Sequence, residues 1–322
     1  MTRYDFVGID VAKNKFDVAL LNDEQCAKKK QFYRTEQGVA SFIAWLNKHT
    51  HNPSVCMEST GLYSEFIAEV LFENKITCSI VNPYQIKHFS RVSLARNKND
   101  YLDAEVIASF NQKMQPKPFK PRGKISKKLR ELMRLHGSLV SKKTSLKVEK
   151  TAAMLEEVQK LYCSIIKKLE IQLEMLEKRM NRLIESDSTL SKKQELLLSI
   201  PGIGIKTVYA IFAFLPDIAL FDNAKALAAF IGVSPMQKQS GQCIGQTKMC
   251  KFGDSRMRRA LYMPACSVKN YRKGFSSFVT RLEEKGLAPK QILGAIMRKL
   301  THIIYGVLTN EKPFDPKLAC KA

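Results

Sequence analysis

Four acidic residues in the first third of the chain, Asp10, Glu58, Asp100 and Asp103, have the type and placement to hold divalent metal ions for phosphodiester chemistry. That chemistry needs the attacking and leaving oxygens held in line and their growing charge neutralised, which two divalent ions about 4 Å apart achieve. Hard ions such as Mg²⁺ or Mn²⁺ take oxygen ligands, and shared carboxylates are the usual supply. Asp100 and Asp103 are three positions apart, so on a helix they share one face near its N-terminus. Singly, each residue has an ordinary explanation. Asp10 can begin a turn, Glu58 can accept hydrogen bonds from Ser59 or Thr60, and Asp100 can cap a helix whose dipole Asp103 and Glu105 complement. Jointly, carboxylates gathered at one end of a sheet repel one another unless a cation sits among them. Asp17, inside a strand, and Glu105, off the face shared by Asp100 and Asp103, are weaker candidates.

A second chemical feature lies far downstream. Ser240 is followed by Lys248 and Lys251, and then by Arg256, Arg258 and Arg259. A serine hydroxyl is a poor nucleophile unless a base or metal takes its proton and the phosphate charge is offset, and carboxylate-bound metal with nearby cations supplies both. Ser240-Gly241 is equally a common turn, and the cations equally suit ordinary contacts to a phosphate backbone. Between the two features, Ile200-Pro201-Gly202-Ile203-Gly204 separates two apolar helices as the turn of a helix-hairpin-helix does. The N–H groups about Gly202 and Gly204, at a helix N-terminus, suit a DNA phosphate, although two packed helices joined by a glycine turn explain the string as well.

The elements that must position these residues follow from hydropathy patterning. Tyr4 to Val11 and Lys15 to Leu21 read as two strands joined by a polar turn, with a third at Lys30 to Arg34. Helix, strand, helix, strand then follow at Gly38 to Asn47, Ser54 to Met57, Tyr63 to Glu73 and Thr77 to Val81, with a further helix from Asp100 to Gln115. This α/β order is compatible with a ribonuclease H-like sheet. It sets Asp10 and Glu58 at strand ends that emerge together if the two strands are adjacent and parallel.

Pro116 to Gly123 marks a boundary, giving regions 1–117, 118–190 and 191–322. Ile166, Leu169, Leu173, Leu176, Met180 and Leu183 alternate steps of three and four, the seam of a coiled coil. An intramolecular hairpin turning near Val158 to Ile165 and an intermolecular coil both fit. The last third is mainly α, with helices at Asn223 to Ile231, Ser255 to Tyr271, Phe275 to Lys285 and Pro289 to Leu308.

Charge sharpens the division. The 322 residues carry 53 Lys and Arg against 30 Asp and Glu, a net charge of +23, which makes a polyanion the first partner to consider. Residues 1–115 hold 14 basic and 13 acidic side chains, leaving 39 and 17 for residues 116–322. A nearly neutral region carries the carboxylates and a strongly basic one carries the serine. The 8 cysteines are scattered without a CxxC pair, so a structural zinc site is not expected. With no signal peptide pattern and no uninterrupted apolar span, a cytoplasmic protein with reduced thiols and no membrane partner is expected.

Several strings together resemble one family. They are Gly8-Ile9-Asp10-Val11-Ala12-Lys13, Glu58-Ser59-Thr60-Gly61, Asn82-Pro83, Arg96-Asn97-Lys98-Asn99-Asp100 with Asp103-Ala104, Ile200-Pro201-Gly202-Ile203-Gly204, and Arg258-Arg259-Ala260-Leu261-Tyr262-Met263-Pro264-Ala265. In order, along nearly the whole chain, they are similar to the DEDD-type insertion-sequence transposases, bridge-RNA-guided recombinases related to pilin-gene invertases. The resemblance implies a RuvC-like N-terminal domain, a coiled-coil region and a C-terminal transposase domain. It implies that Asp10, Glu58, Asp100 and Asp103 bind Mg²⁺ or Mn²⁺ and that Ser240 forms a covalent 5′-phosphoserine link to DNA.

The resemblance further implies a structured guide RNA that chooses donor and target DNA, and dimers that assemble into a tetramer with composite active sites, in a nucleoid-associated protein of the bacterial cytoplasm. Arg96 and Lys98 join the cations expected to contact nucleic acid. Asn99 departs from the family, which commonly has threonine there, and Gln239-Ser240-Gly241-Gln242-Cys243 is the looser part of the match. Two rivals stay open on the residues alone. One is a metal-dependent junction nuclease in which water attacks; the other is a nucleic-acid-binding protein without catalysis.

Overall fold

The structure, a computed structural model, describes residues 5–22, 25–92, 100–215, 217–236, 239–240, 243–244, 248–272 and 274–316. They fall into two compact units, Met1–Pro121 and Arg122–Ala322. The long helices expected to form a middle region belong to the same unit as the C-terminal helices.

Five strands build the first unit: β1 (Asp5–Val11), β2 (Lys15–Asn22), β3 (Gln25–Tyr33), β4 (Pro53–Glu58) and β5 (Thr77–Val81). Their order is β3-β2-β1-β4-β5. The first three form an antiparallel meander, while β4 runs parallel to both β1 and β5. This mixed sheet, covered by helices, fits a ribonuclease H-like domain.

Alternation along the strands assigns their two faces. Val7, Ile9 and Val11 join Phe16, Val18, Phe32, Val55 and Met57 on one side. They pack against α1 (Glu36–His49) and α2 (Leu62–Glu73) through Phe42, Trp45, Leu46, Ile67 and Leu71. Phe16 stacks on Phe32 and meets Phe42 edge-on, with centroids 5.7 and 5.4 Å apart. Each such pair adds about 0.5–1.5 kcal/mol to the area that its rings bury. The opposite face carries α3 (Pro83–Val92) and α4 (Asp100–Met114), with Cys56, Val81, Ile86, Ile107 and Phe110 between.

The second unit opens with an antiparallel hairpin of α5 (Lys124–Ala152) and α6 (Glu156–Glu185). Lys143 meets Glu170 at 3.6 Å and His136 meets Glu177 at 3.1 Å across it. On α6, Ile166, Leu173 and Met180 are buried at steps of seven, and Leu169, Leu176 and Leu183 are half-buried beside them. The turn lies at residues 153–155, earlier than the expected 158–165. Two apolar residues occupy or flank it, with Met154 98% and Leu155 69% exposed.

The remaining helices are α7 (Ser188–Leu198), α8 (Ile205–Phe214), α9 (Ala224–Ile231), α10 (Ser255–Tyr271), α11 (Ser276–Glu284) and α12 (Pro289–Asn310). From Thr207 to Phe214 every residue of α8 is buried, which makes it the central helix. By length and composition α12 would suit a membrane, but its stripe of Ile292, Ile296, Leu300 and Ile304 is buried in the core of this unit. Asp187, Asn223 and Asp254 each accept backbone N–H bonds as N-caps of α7, α9 and α10.

Where the chain passes from one unit to the next, each side is tied to its own unit. In the first, the N–H of Phe119 donates to the Cys78 carbonyl at 2.7 Å. In the second, Arg122 donates to the Leu215 carbonyl at 2.9 Å, and the Ser126 hydroxyl to that of Phe212 at 3.1 Å.

Candidate active site

Because β1 and β4 are adjacent and parallel, with Ile9 opposite Met57, Asp10 and Glu58 leave the sheet at the same end. Both lie on the face that carries α4, since Gly8 and Cys56, two residues earlier, pair across the ladder and face that helix. A Cβ on Gly8 would collide with the backbone of Ala104 and Ala108. Glycine therefore lets α4 lie directly on β1, and this contact sets Asp103, one residue before Ala104, beside the strand end. The remaining tetrad member, Asp100, is the first residue of α4; its side chain lies outside the described residues.

Three of the four carboxylates share one electrostatic field. Burial raises the affinity of Glu58 for its proton, and the charges of Asp10 and Asp103 raise it further. The backbone N–H groups that follow Glu58 are engaged elsewhere. The Ser59 N–H donates to the Val81 carbonyl at 2.9 Å, and the Thr60 N–H to Ser64 Oγ at 3.1 Å. Gly61, at φ 77°, makes the left-handed turn that directs the chain into α2.

Among the described residues, no three His, Cys, Asp or Glu side chains are arranged to hold a metal ion. The chemistry of the donor set still suits a hard divalent cation. It consists of carboxylates alone, and their mutual repulsion at Glu58 is what a cation relieves.

The two weaker acidic candidates have partners. Asp17 is the cross-strand neighbour of Asp10, buried to 2% exposure, and accepts a 2.7 Å hydrogen bond from Gln31 Nε2. Glu105 forms an ion pair with Lys29.

Ser240 ends the two-residue strand β7 (Gln239–Ser240), which pairs antiparallel with β8 (Cys243–Ile244), Ser240 opposite Cys243. The two residues that separate them in sequence, 241–242, lie outside the described residues. Outside this pair in sequence, β6 (Pro235–Met236) pairs with β9 (Lys248–Met249). The serine side chain lies outside the described residues, as do Arg96 and Lys98 entirely.

The cations downstream divide into two groups. Lys248, Lys251 and Arg259 are exposed. Arg256 instead clamps the Asp254 carboxylate at 2.7 Å and lies 4.6 Å from the Phe214 ring centre. Burial opposes the charge on Asp254, but Arg256 and the N–H groups of Arg256 and Met257 outweigh it, holding this carboxyl below the ordinary range. Arg258 reaches back to the Ile231 carbonyl at 2.8 Å across the Gly232 turn. Both arginines thus serve the fold of α10. The signal in the sequence was an acidic N-cap two residues before the first of them.

Gly202 and Gly204 also differ in role. Gly202, at φ 85°, is held against α10, where a Cβ would press on the Pro264 carbonyl and Val268. Gly204, the N-cap of α8, has nothing within 4 Å of its outer side. Ile200 and Ile203 are buried and anchor the turn between them.

A DEDD transposase model matches residues 7–159, and a model of the IS116/IS110/IS902 transposase family matches residues 194–280. The pilin gene-inverting protein of Moraxella lacunata is 32% identical over 97% of this chain and 98% of its own length. The transposase for insertion sequence element IS1111A of Coxiella burnetii is 22% identical, covering 96% of this chain and 90% of that protein. A Thermus thermophilus RuvC structure aligns with 35% of this chain and 98% of its own at 14% identity, with a TM-score of 0.27. The chain belongs to the IS110-type transposases, DNA recombinases that cleave and rejoin strands.

Proposed function

We propose that this protein is an RNA-guided, site-specific DNA recombinase of an insertion sequence, acting through a covalent phosphoserine intermediate. The observation that carries the reading is the carboxylate group at one end of the first sheet, where Glu58 is held above its ordinary proton affinity by burial, Asp10 and Asp103. Asp10, Glu58, Asp100 and Asp103 would hold Mg²⁺ or Mn²⁺, which when bound offsets negative charge developing on the phosphate and acidifies a coordinated hydroxyl.

Ser240 Oγ would attack the phosphorus of a strand, forming a serine–phosphate bond and releasing a 3′-hydroxyl. Attack by the 3′-hydroxyl of the new partner strand would reverse the step and free the serine. The phosphodiester energy is conserved, so rejoining needs no nucleotide cofactor. Exposed Lys248, Lys251 and Arg259, with the open N-terminus of α8 at Gly204, would hold phosphates. A structured guide RNA would choose donor and target DNA through base pairing, as protein contacts to phosphates carry no sequence information. Dimers assembling into a tetramer would let the serine of one subunit meet the carboxylates of another, in the bacterial cytoplasm at the nucleoid.

The test is a denaturing gel of protein incubated with the element's flanking RNA, junction and target DNA, and Mg²⁺. A protein–DNA adduct in the wild type that disappears in Ser240→Ala and in Asp10→Asn supports this mechanism. Cleaved DNA without an adduct in any of the three replaces it with hydrolysis by water.

A further inference from the structure

The second unit contains a groove of about 1300 Å³ of which the mechanism above uses only two lining lysines, Lys248 and Lys251. It exceeds the roughly 300–1,000 Å³ typical of small-molecule sites. Its floor is apolar, from Val233, Met236, Leu282, Leu293 and Met297. Its charge is of one sign: Lys248, Lys251, Lys290, Arg298 and Lys299 line it, and among the described residues no Asp or Glu does. These charges reach His302, also on the wall, whose proton affinity is lowered first by burial and then by Arg298, Lys299 and Lys225. At the rim, Phe252 and Tyr262 are 47% and 48% exposed, large aromatic faces on the surface of a basic unit.

This combination selects its occupant by chemistry. A purely apolar ligand would make no use of the positive charge. Duplex nucleic acid would meet the cations, but its bases are stacked away from the floor. An unstacked nucleotide meets both, since its base has an apolar face for aromatic stacking and its phosphate a charge for lysine. Position favours the DNA strand as the source. The β6–β9 ladder contributes Met236, Lys248 and Met249 to the wall, and it brackets in sequence the strand pair that bears Ser240.

We propose that this groove receives unpaired nucleotides of the DNA strand that Ser240 attacks, with bases against Phe252, Tyr262 and the apolar floor and phosphates against Lys248, Lys251 and Lys290. The assignment of the strand to DNA rests on the recombinase reading.

The experiment measures dissociation constants of the full-length protein, without Mg²⁺, by fluorescence anisotropy. The probes are a short single-stranded DNA, the same strand with abasic positions at its centre, a duplex of equal length, and the matching single-stranded RNA. The wild type is expected to prefer the intact DNA strand over the abasic one by about ten-fold or more. Phe252→Ala and Tyr262→Ala should bring that ratio close to one and leave duplex binding, a matter of phosphates, within about two-fold. Gly294→Phe should do the same by filling the groove, because a Cβ at this lining position meets only Met249 Sδ at 3.7 Å. Thermal unfolding checks that each variant is folded.

A ratio unchanged in all three folded variants overturns the proposal. So does a base preference seen with RNA alone, equal loss of duplex and single-strand binding, or a groove variant that changes only the oligomeric state. Failure of the recombinase reading would look different. Wild type that retains the groove-dependent preference for intact DNA, but forms no Ser240 adduct with any substrate, loses the chemistry and keeps the groove.

Discussion

Asp10 and Glu58 stand at the ends of adjacent strands in a five-stranded sheet, with helices and buried side chains on both faces. Ser240 stands on a ladder of two two-residue strands. The first support is tied by many long-range contacts and opens only with much of its unit. The second, among the described residues, is a single two-residue pairing, a support of the kind that opens locally. On the proposed mechanism, metal ligands that must hold fixed distances despite mutual repulsion would need the stiff support, and a serine that carries a DNA end between partners would be served by the light one.

Several changes would break or sharpen this contrast. The largest effect is expected from Asp10→Asn, which should slow strand cleavage by several kcal/mol of barrier, on the order of 10³-fold, in a single-turnover assay with Mg²⁺. Gly8→Val should follow, destabilising the first unit by roughly 3 kcal/mol because α4 must leave β1. Denaturant unfolding measures it, and an unchanged midpoint would show that the strand end is less rigidly set than argued.

Asp254→Ala should cost about 1–2 kcal/mol through the lost N-cap of α10. Its carboxyl is held below the ordinary range, so its contribution is complete above the unfolded value of about 3.9 and disappears as pH falls through the lower folded value. A pH series of unfolding midpoints should therefore show wild type and variant converging in acid.

Glu58 behaves in the opposite sense. Its folded proton affinity is raised, so the fold loses stability as pH climbs from the unfolded value of about 4.3 through the higher folded one. Glu58→Gln should then melt higher than wild type at neutral pH without divalent ions, and Mg²⁺ should narrow the gap by stabilising the wild type alone. The smallest effect belongs to Gly204→Ala, within about 0.5 kcal/mol of wild type, since open space surrounds that position. If Gly204 faces a phosphate, DNA binding will fall in this variant while its melting temperature holds.

Much of this arrangement is legible in the chain. Strand alternation places β1, β4 and β5 within a residue or two of where they lie, and caps such as Asn223 and Asp254 mark α9 and α10. The sequence suggests that Asp10 and Glu58 end strands, but their common side depends on β4 pairing with β1, a long-range choice. Other features are hidden for definite reasons. Four strands of two residues each are too short for any periodicity to register. Helix α3 is only ten residues long and its apolar face is brief, Ile86 and Phe89, too short a run for a helical period to stand out in sequence. Met154 and Leu155 read as helix because apolar residues are expected to seek burial, yet at this turn they face solvent. Arg256 and Arg258 look like phosphate contacts until Asp254 and the Ile231 carbonyl are seen to hold them.

The joint between the units has a practical use. Phe119 is the last residue tied to β5 and Arg122 the first tied to the end of α8. Between them, Lys120 is exposed and Pro121 has no N–H to lose. Splicing a relative's carboxylate half to this chain's serine half at that point preserves the described ties on both sides. Chimeras made there can reveal which half carries an element's preference for its own ends.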